Sequence, residues 1–178
     1  MVQRYRSLLM GLVLCLGLVW IWSNRIPAQV NAEAVALPPA PAVGHPAPAL
    51  DLPTSAGGSF RLADLVGKPV VLNFWATWCP HCRTELPELE AASRRLQDEI
   101  VVAGVNQGED PVSVNAFAHQ YGLSFVIPLD TRAYASRDFS VRSLPTTFFI
   151  DRTGVIRRIV VGAMTEATLS QGLKSIYP

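Results

Sequence analysis

The stretch from Val70 to Glu85, VVLNFWATWCPHCRTE, constrains this chain more than any other. Val70 to Trp75 reads as a continuous apolar run, the pattern of a strand buried on both faces. A three-residue connection, Ala76 to Trp78, leads to Cys79-Pro80-His81-Cys82 and then to a helix-compatible run. Two cysteines separated by two residues, after a strand and at the opening of a helix, form a redox motif with a mechanism. The N-terminal end of a helix carries partial positive charge and unpaired N–H groups, which favour thiolate over thiol. Pro80 suits the first helical position, where its missing N–H would have had no partner. A depression of the Cys79 pKa by about 2 units from the ordinary value would raise its thiolate fraction at pH 7 from a few per cent to roughly three quarters.

The chain has three cysteines, Cys15, Cys79 and Cys82, and Cys15 lies in an N-terminal apolar segment. One pair remains, which excludes a scaffold of several disulfides. With no second pair and no His-x3–5-His spacing, neither a structural zinc site nor any other metal is expected. Charge does not point to nucleic acid: from Gly44 onward 12 Lys and Arg stand against 13 Asp and Glu, with no basic block. A length of 178 residues, 49% of them apolar, suits one globular domain with a sizeable core.

Residues 1–26 read as a membrane anchor or a signal segment. Arg4 and Arg6 precede the uncharged run Leu8 to Trp22, and Arg25 follows it. Fifteen helical residues span about 22 Å, short of the hydrocarbon core, and that length suits a signal peptide. Snorkelling arginines, Trp20 and Trp22 at an interfacial position, and a small-residue cleavage site no nearer than Ala32-Glu33-Ala34 favour a retained anchor. Retention places the protein at the cell membrane with its domain on the periplasmic side, and cleavage makes it periplasmic or secreted. Both readings put the domain outside the cytoplasm. Residues 27–48 hold six of the fourteen prolines and few charges, and are expected to form a spacer or a disordered arm.

Residues 49–178 are expected to form the domain. Leu50 to Leu62 reads as a hairpin around Ser55-Ala56-Gly57-Gly58, followed by a helical turn over Leu62 to Leu65. Pro80 to Gln97 carries Leu86, Leu89 and Leu96 on one face and Arg83, Glu90, Arg94 and Arg95 on the other, with Pro87 expected to kink it. Ile100 to Asn106 reads as a buried strand. Asp110 is an expected N-cap, with Pro111 opening a helix to Tyr121. Phe125 to Leu129 reads as a short strand and Thr131 to Phe139 as a weak helix, so the order is that of a βαβ unit with parallel pairing. Thr146 to Asp151 and Val155 to Gly162 flank a turn in an antiparallel hairpin, and Thr165 caps a last helix, Glu166 to Ile176.

The run NFWATWCPHC resembles the active-site signature of thioredoxin-fold proteins. With Glu85 and the later LPTTFFID, Leu144 to Asp151, the chain from Gly44 to Pro178 resembles the membrane-anchored TlpA/ResA-type thiol–disulfide oxidoreductases of bacteria. The resemblance implies an α/β, thioredoxin-like fold: a central mixed sheet flanked by helices, with an N-terminal hairpin and a central αβ insertion at Pro111 to Leu129. It implies no cofactor beyond the redox-active Cys79–Cys82 disulfide, a monomer, and partners that are protein disulfides or dithiols. A reductase would also need a membrane thiol electron donor, and apocytochrome c is the substrate the family suggests.

Under that resemblance Cys79 is the nucleophile and Cys82, one helical turn on, resolves the mixed disulfide. Glu85 resembles the active-site glutamate of the group and is expected to exchange a proton with Cys82. Asn73 stands where thioredoxins keep a buried Asp, which moves the proton role toward Glu85. Pro145, after Leu144, resembles the cis-proline of the fold, whose exposed backbone pairs with an extended substrate strand. Trp78, Pro80 and His81 complete the expected substrate-facing rim, with Trp75 in the core. His81 pulls the other way: Cys-Pro-His-Cys resembles strongly oxidising periplasmic thiol oxidases, whereas the rest resembles reductases of cytochrome c maturation. The reductase direction, or isomerase-like thiol handling, is the expectation.

Two rivals are weighed against this reading. A peroxiredoxin needs a threonine three residues before its reactive cysteine, where this chain has Ala76. A copper-binding assembly factor of the Sco type spaces its cysteines by three residues and adds a distant histidine; here the spacing is two, and His45 and His119 read as surface residues, although His81 or His119 could assist a soft metal.

Overall fold

The computed structural model describes Leu16, Trp20 and residues 37–177. The chain divides into two compact units, Met1–Ala36 and Leu37–Pro178. In the first, Leu16 and Trp20 are helical and exposed; the rest of the expected anchor, Cys15 and residues 27–36 of the expected spacer lie outside the described residues. Among the described residues no helix is long and apolar enough to cross a membrane.

The second unit begins with residues assigned from sequence to the spacer, and they are bonded to the domain. Gly44 N–H donates to Ile156 O, Ile156 N–H to His45 O and Ala47 N–H to Gly154 O, at 2.8–2.9 Å. The domain therefore starts before residue 49. Prolines remove some donors from this stretch, but the N–H groups between them still pair with a strand end.

A two-stranded hairpin, β1 (Asp51–Pro53) and β2 (Ser59–Arg61), leads through a 3-10 turn, Leu62–Leu65, to the five-stranded sheet. The sheet has the order β5-β4-β3-β6-β7, with β3 Val70–Trp75, β4 Val101–Gln107, β5 Leu129–Asp130, β6 Thr146–Ile150 and β7 Ile156–Val161. β3 runs parallel to β4 and antiparallel to β6, so the sheet is mixed. Every residue of β3 is buried, as its two-faced apolar run requires. Val70, Leu72 and Phe74 face a core closed by Phe60 of the hairpin and by Phe139. Val71 and Trp75 face the other, which takes Leu86 and Leu89 of helix α1 (Pro80–Arg95), Phe117 of α2 (Pro111–Tyr121) and Leu169 and Leu173 of α4 (Glu166–Ile176). The period of two puts Asn73 on that second face, toward α1.

Several sequence expectations change in detail. α1 contains Pro87, as expected, and ends at Arg95, two residues before the expected Gln97. Glu90, expected on its solvent face, is buried and accepts from the Ser124 N–H at 2.7 Å, the Ser124 hydroxyl and Arg94, so it stitches α1 to the chain after α2. The strand expected at Phe125 to Leu129 is regular only as β5. Before it, Val126 and Pro128 offer carbonyls to Gly104 and Asn106, and Pro128 has no N–H to extend a ladder. The weak helix shortens to α3, Tyr134–Asp138, because the buried Asp130 carboxylate accepts from the Ala135 and Ser136 N–H groups and sets where the turn begins. Asp110 and Thr165 cap α2 and α4 as the sequence predicts.

Candidate active site

β3 ends at Trp75, and three residues later the chain turns into α1 with Cys79 as its N-cap and Pro80 in the first turn. This is the C-terminal edge of the parallel β3–β4 pair, where a strand-to-helix turn aims backbone N–H groups outward. Cys79 and Cys82 form a disulfide, with Cα atoms 5.3 Å apart. Cys79 Sγ also accepts from the Cys82 N–H at 3.2 Å. The Cys79 sulfur thus sits against one of the N–H groups at the opening of the helix. Cys79 is 3% exposed and Cys82 fully buried, so the pair is asymmetric: only the first borders solvent.

Glu85 lies one turn beyond Cys82 on the buried face of α1 and is 1% exposed. Its Oε1 accepts from Asn73 Nδ2 at 2.6 Å and its Oε2 from the Met164 N–H at 2.8 Å. Asn73 Nδ2 also donates to Thr147 Oγ1 at 2.8 Å. Burial pushes the Glu85 carboxyl up to about 7, against the Met164 and Asn73 bonds, which favour the anion. A carboxyl poised near neutrality can take or give a proton at ordinary pH. Sequence had singled out Glu85 and had noted that Asn73 cannot titrate. What sequence missed is that these two side chains touch, and that Met164 and Thr147 complete the pocket. A lone Asn inside a fully buried strand was the available signal, since such a group demands a partner.

The Leu144–Pro145 peptide is cis, as the resemblance implied. Pro145 precedes β6, the antiparallel neighbour of β3, and Gly162 N–H donates to Pro145 O at 2.8 Å. Leu144 is partly buried against both cores. Trp78 is 65% exposed beside Cys79, whereas Trp75 is fully buried. Pro80 and His81 are exposed on the first turn of α1. The structure thus gathers Trp78, Cys79, Pro80, His81, Cys82 and Glu85 on one strand–turn–helix unit. His119 is exposed, and His45, half-buried, contacts Pro38 O through Nδ1 at 3.0 Å. Among the described residues no group of three or more His, Cys, Asp or Glu side chains is gathered to hold a metal. Sequence also missed Glu109, whose carboxylate accepts from Thr77 in the turn before Cys79; only its neighbours Asp110 and Pro111 read as a helix start.

Comparison with known proteins places this geometry in a family. The AhpC/TSA family model matches residues 43–159, more than half of the chain. The thiol-disulfide oxidoreductase ResA of Geobacillus thermodenitrificans is 36% identical over 177 residues, covering 99% of both chains. The thiol:disulfide interchange protein DsbE of Pseudomonas aeruginosa is 33% identical over 142 residues, 78% of this chain and 77% of that one. Among solved structures, a secreted disulfide oxidoreductase of Mycobacterium tuberculosis superposes with a TM-score of 0.65 at 27% identity, covering 71% of this chain and 96% of that one. With a helix-opening cysteine pair on a thioredoxin-like sheet and a ResA that matches it from end to end, the chain belongs to the TlpA/ResA-type thiol–disulfide oxidoreductases, within the AhpC/TSA family.

Proposed function

We propose that this enzyme reduces disulfides in protein substrates outside the cytoplasm, with Cys79 as nucleophile, Cys82 as resolving thiol and Glu85 as the proton carrier. The observation that carries the reading is the graded burial along one helix face: Cys79 bordering solvent, Cys82 beneath it, and a carboxyl near neutrality one turn further in. In the dithiol form, the Cys79 thiolate attacks one sulfur of the substrate disulfide. The substrate S–S bond breaks, a mixed disulfide forms, and the departing substrate thiolate takes a proton from solvent. Glu85 then accepts the Cys82 proton, and the Cys82 thiolate attacks Cys79 Sγ. The second substrate thiolate leaves and takes the proton held by Glu85, so the substrate has gained two electrons from the cysteine pair and two protons, one from solvent and one from Cys82 by way of Glu85. The Cys79–Cys82 disulfide is returned to the dithiol by a donor dithiol on the membrane side.

An extended substrate strand lies along the backbone of Leu144 and Pro145, with Trp78, Pro80 and His81 forming the opposite rim. The apolar run flanked by arginines supports an N-terminal anchor with the domain on the periplasmic side, and apocytochrome c is the substrate class the family resemblance favours. Replacing Cys82 with Ser tests the assignment. The variant should accumulate mixed disulfides through Cys79, detectable on non-reducing gels, while Cys79→Ala should neither trap partners nor turn over. Full turnover by the Cys82→Ser variant with no trapped partner would overturn the roles.

A further inference from the structure

The three residues between β3 and the cysteine pair pass from buried Ala76 through half-buried Thr77 to exposed Trp78, and the central one is held from several directions. Glu109 Oε2 accepts from the Thr77 backbone N–H and from Asn106 Nδ2, each at 2.7 Å, and Glu109 Oε1 accepts from the Thr77 hydroxyl. The Thr77 carbonyl accepts from Arg83 Nε at 2.7 Å. Each hydrogen-bonding group of Thr77 is therefore bonded to a side chain from another part of the chain. Bonds to a charged acceptor or from a guanidinium are the strong ones, so the turn is held firmly.

The clamp is itself anchored. Gly108 N–H donates to Asp130 O at 3.0 Å on one side of Glu109, with Gly108 at φ 77°, a conformation suited to glycine. On the other side Asp110 caps α2 through the Val112 and Ser113 N–H groups. Arg83 lies over the Phe117 ring, 5.5 Å from its centroid. The connection ends on Cys79, whose N–H donates to Ala76 O at 3.2 Å and whose sulfur must meet the Cys82 N–H for the helix to favour the thiolate.

We propose that Glu109 is a positioning residue for Cys79: by holding Thr77 it fixes the sulfur against the first N–H groups of α1, and so governs how readily the thiol ionises and attacks. This rests on the reading of Cys79 as nucleophile. The sign of the effect separates it from a trivial one. A carboxylate acting only as a nearby negative charge would disfavour the thiolate, and its removal would make Cys79 more acidic. A clamp has the opposite consequence, because its loss lets the sulfur drift from its donors.

The test is alkylation of the reduced full-length protein by iodoacetamide across a pH series, with Cys79 and Cys82 followed separately by peptide mass spectrometry. Glu109→Gln, which keeps the shape but removes the charge and one of the two acceptor oxygens, should slow Cys79 alkylation at pH 7 roughly tenfold and raise the midpoint of its pH dependence. Thr77→Val should reproduce part of that change without altering charge, and Thr77→Ser, which retains the hydroxyl, should restore wild-type behaviour. If Glu109→Gln does not fold, the Thr77 pair carries the test. A midpoint unchanged or lowered in the variants, with only thermal stability reduced, would overturn the proposal while leaving the nucleophile in place. Wild-type labelling of Cys82 ahead of Cys79 would instead overturn the nucleophile assignment, and the proposal with it.

Discussion

Asn73 Nδ2 lies 2.6 Å from Glu85 Oε1, a bond between the middle of β3 and the second turn of α1. It joins a strand residue that cannot titrate to a helix residue that titrates near neutrality, and it puts a buried carboxyl one turn from Cys82 in contact with an amide. Burial holds the Glu85 carboxyl at about 7 while Met164 and Asn73 keep the anion accessible. If Glu85 takes the Cys82 proton as carboxylate, turnover should rise as pH passes through 7. In Glu85→Gln that limb should vanish, with activity at pH 8 lower by about 10²-fold. A pH–rate profile with a peptide disulfide substrate decides it; an unchanged limb would remove Glu85 from the mechanism.

The same shift has a consequence for stability. A carboxyl whose folded pKa, about 7, exceeds its model value of 4.5 binds its proton more tightly when folded. Its contribution is most favourable below about 4.5, declines as pH rises toward 7 and is constant above. For the oxidised protein the decline is up to about 3 kcal/mol. Denaturant titrations from pH 5 to 8 should show a fall in wild type that is largely absent in Glu85→Gln.

Replacing Asn73 by Asp should turn an amide–carboxyl contact into a carboxyl pair. Two acids at 2.6 Å cannot both ionise, so they share a proton and the second dissociation moves upward. The activity limb near pH 7 should shift alkaline by about a unit or more, with KM little changed. Asn73→Ala should also move the limb alkaline, since the anion loses a donor that favours it, and cost about 1–3 kcal/mol because Thr147 and Glu85 lose a buried donor.

The direction of electron flow turns on the reduction potential of the Cys79–Cys82 pair. A value below about −250 mV would make the protein a reductant, and one above about −150 mV an oxidant. His81 is exposed on the first turn of α1, and if its imidazole favours the Cys79 thiolate it favours the reduced form and raises the potential. His81→Ala should lower the potential by about 30 mV or more, measured by equilibration with glutathione.

Gly172→Ala probes the packing of α4 on the sheet. A Cβ at Gly172 would lie 2.1 Å from Cζ of Phe149, a ring that is fully buried on β6. Alanine in a helix is worth up to about 1 kcal/mol over glycine, but overpacking should outweigh it and leave the variant about 1–3 kcal/mol less stable. Thermal unfolding checks the sign.

Legibility in the sequence followed the range of the interactions. The cysteine pair, the caps Asp110 and Thr165 and the hairpin turns depend on neighbours within a few residues, and they stand where the sequence put them. The boundary of the domain did not, because the pairing of Gly44 to Ala47 with Gly154 and Ile156 spans more than a hundred residues. Glu90 was misplaced for a similar reason: helical periodicity marks it as polar and outward, and beside its neighbour Arg94 it is Ser124, 34 residues on, that makes its burial tolerable.

From the residues alone follow a buried strand at Val70 to Trp75, a helix-opening Cys79–Cys82 pair and the order of the elements, because strand burial, helix opening and chain order are local or sequential properties; the thioredoxin-like architecture and the choice of Glu85 and Pro145 came with the family resemblance. Tertiary structure decided what surrounds them. The Glu85 carboxyl titrates near neutrality because the fold buries it, with Met164 and Asn73 offsetting part of that shift, and Thr77 is held because Glu109 reaches it from 32 residues away. Those contacts depend on the β3–β4 and β3–β6 registers, and a register is a property of two strands together, which no local pattern in either one specifies.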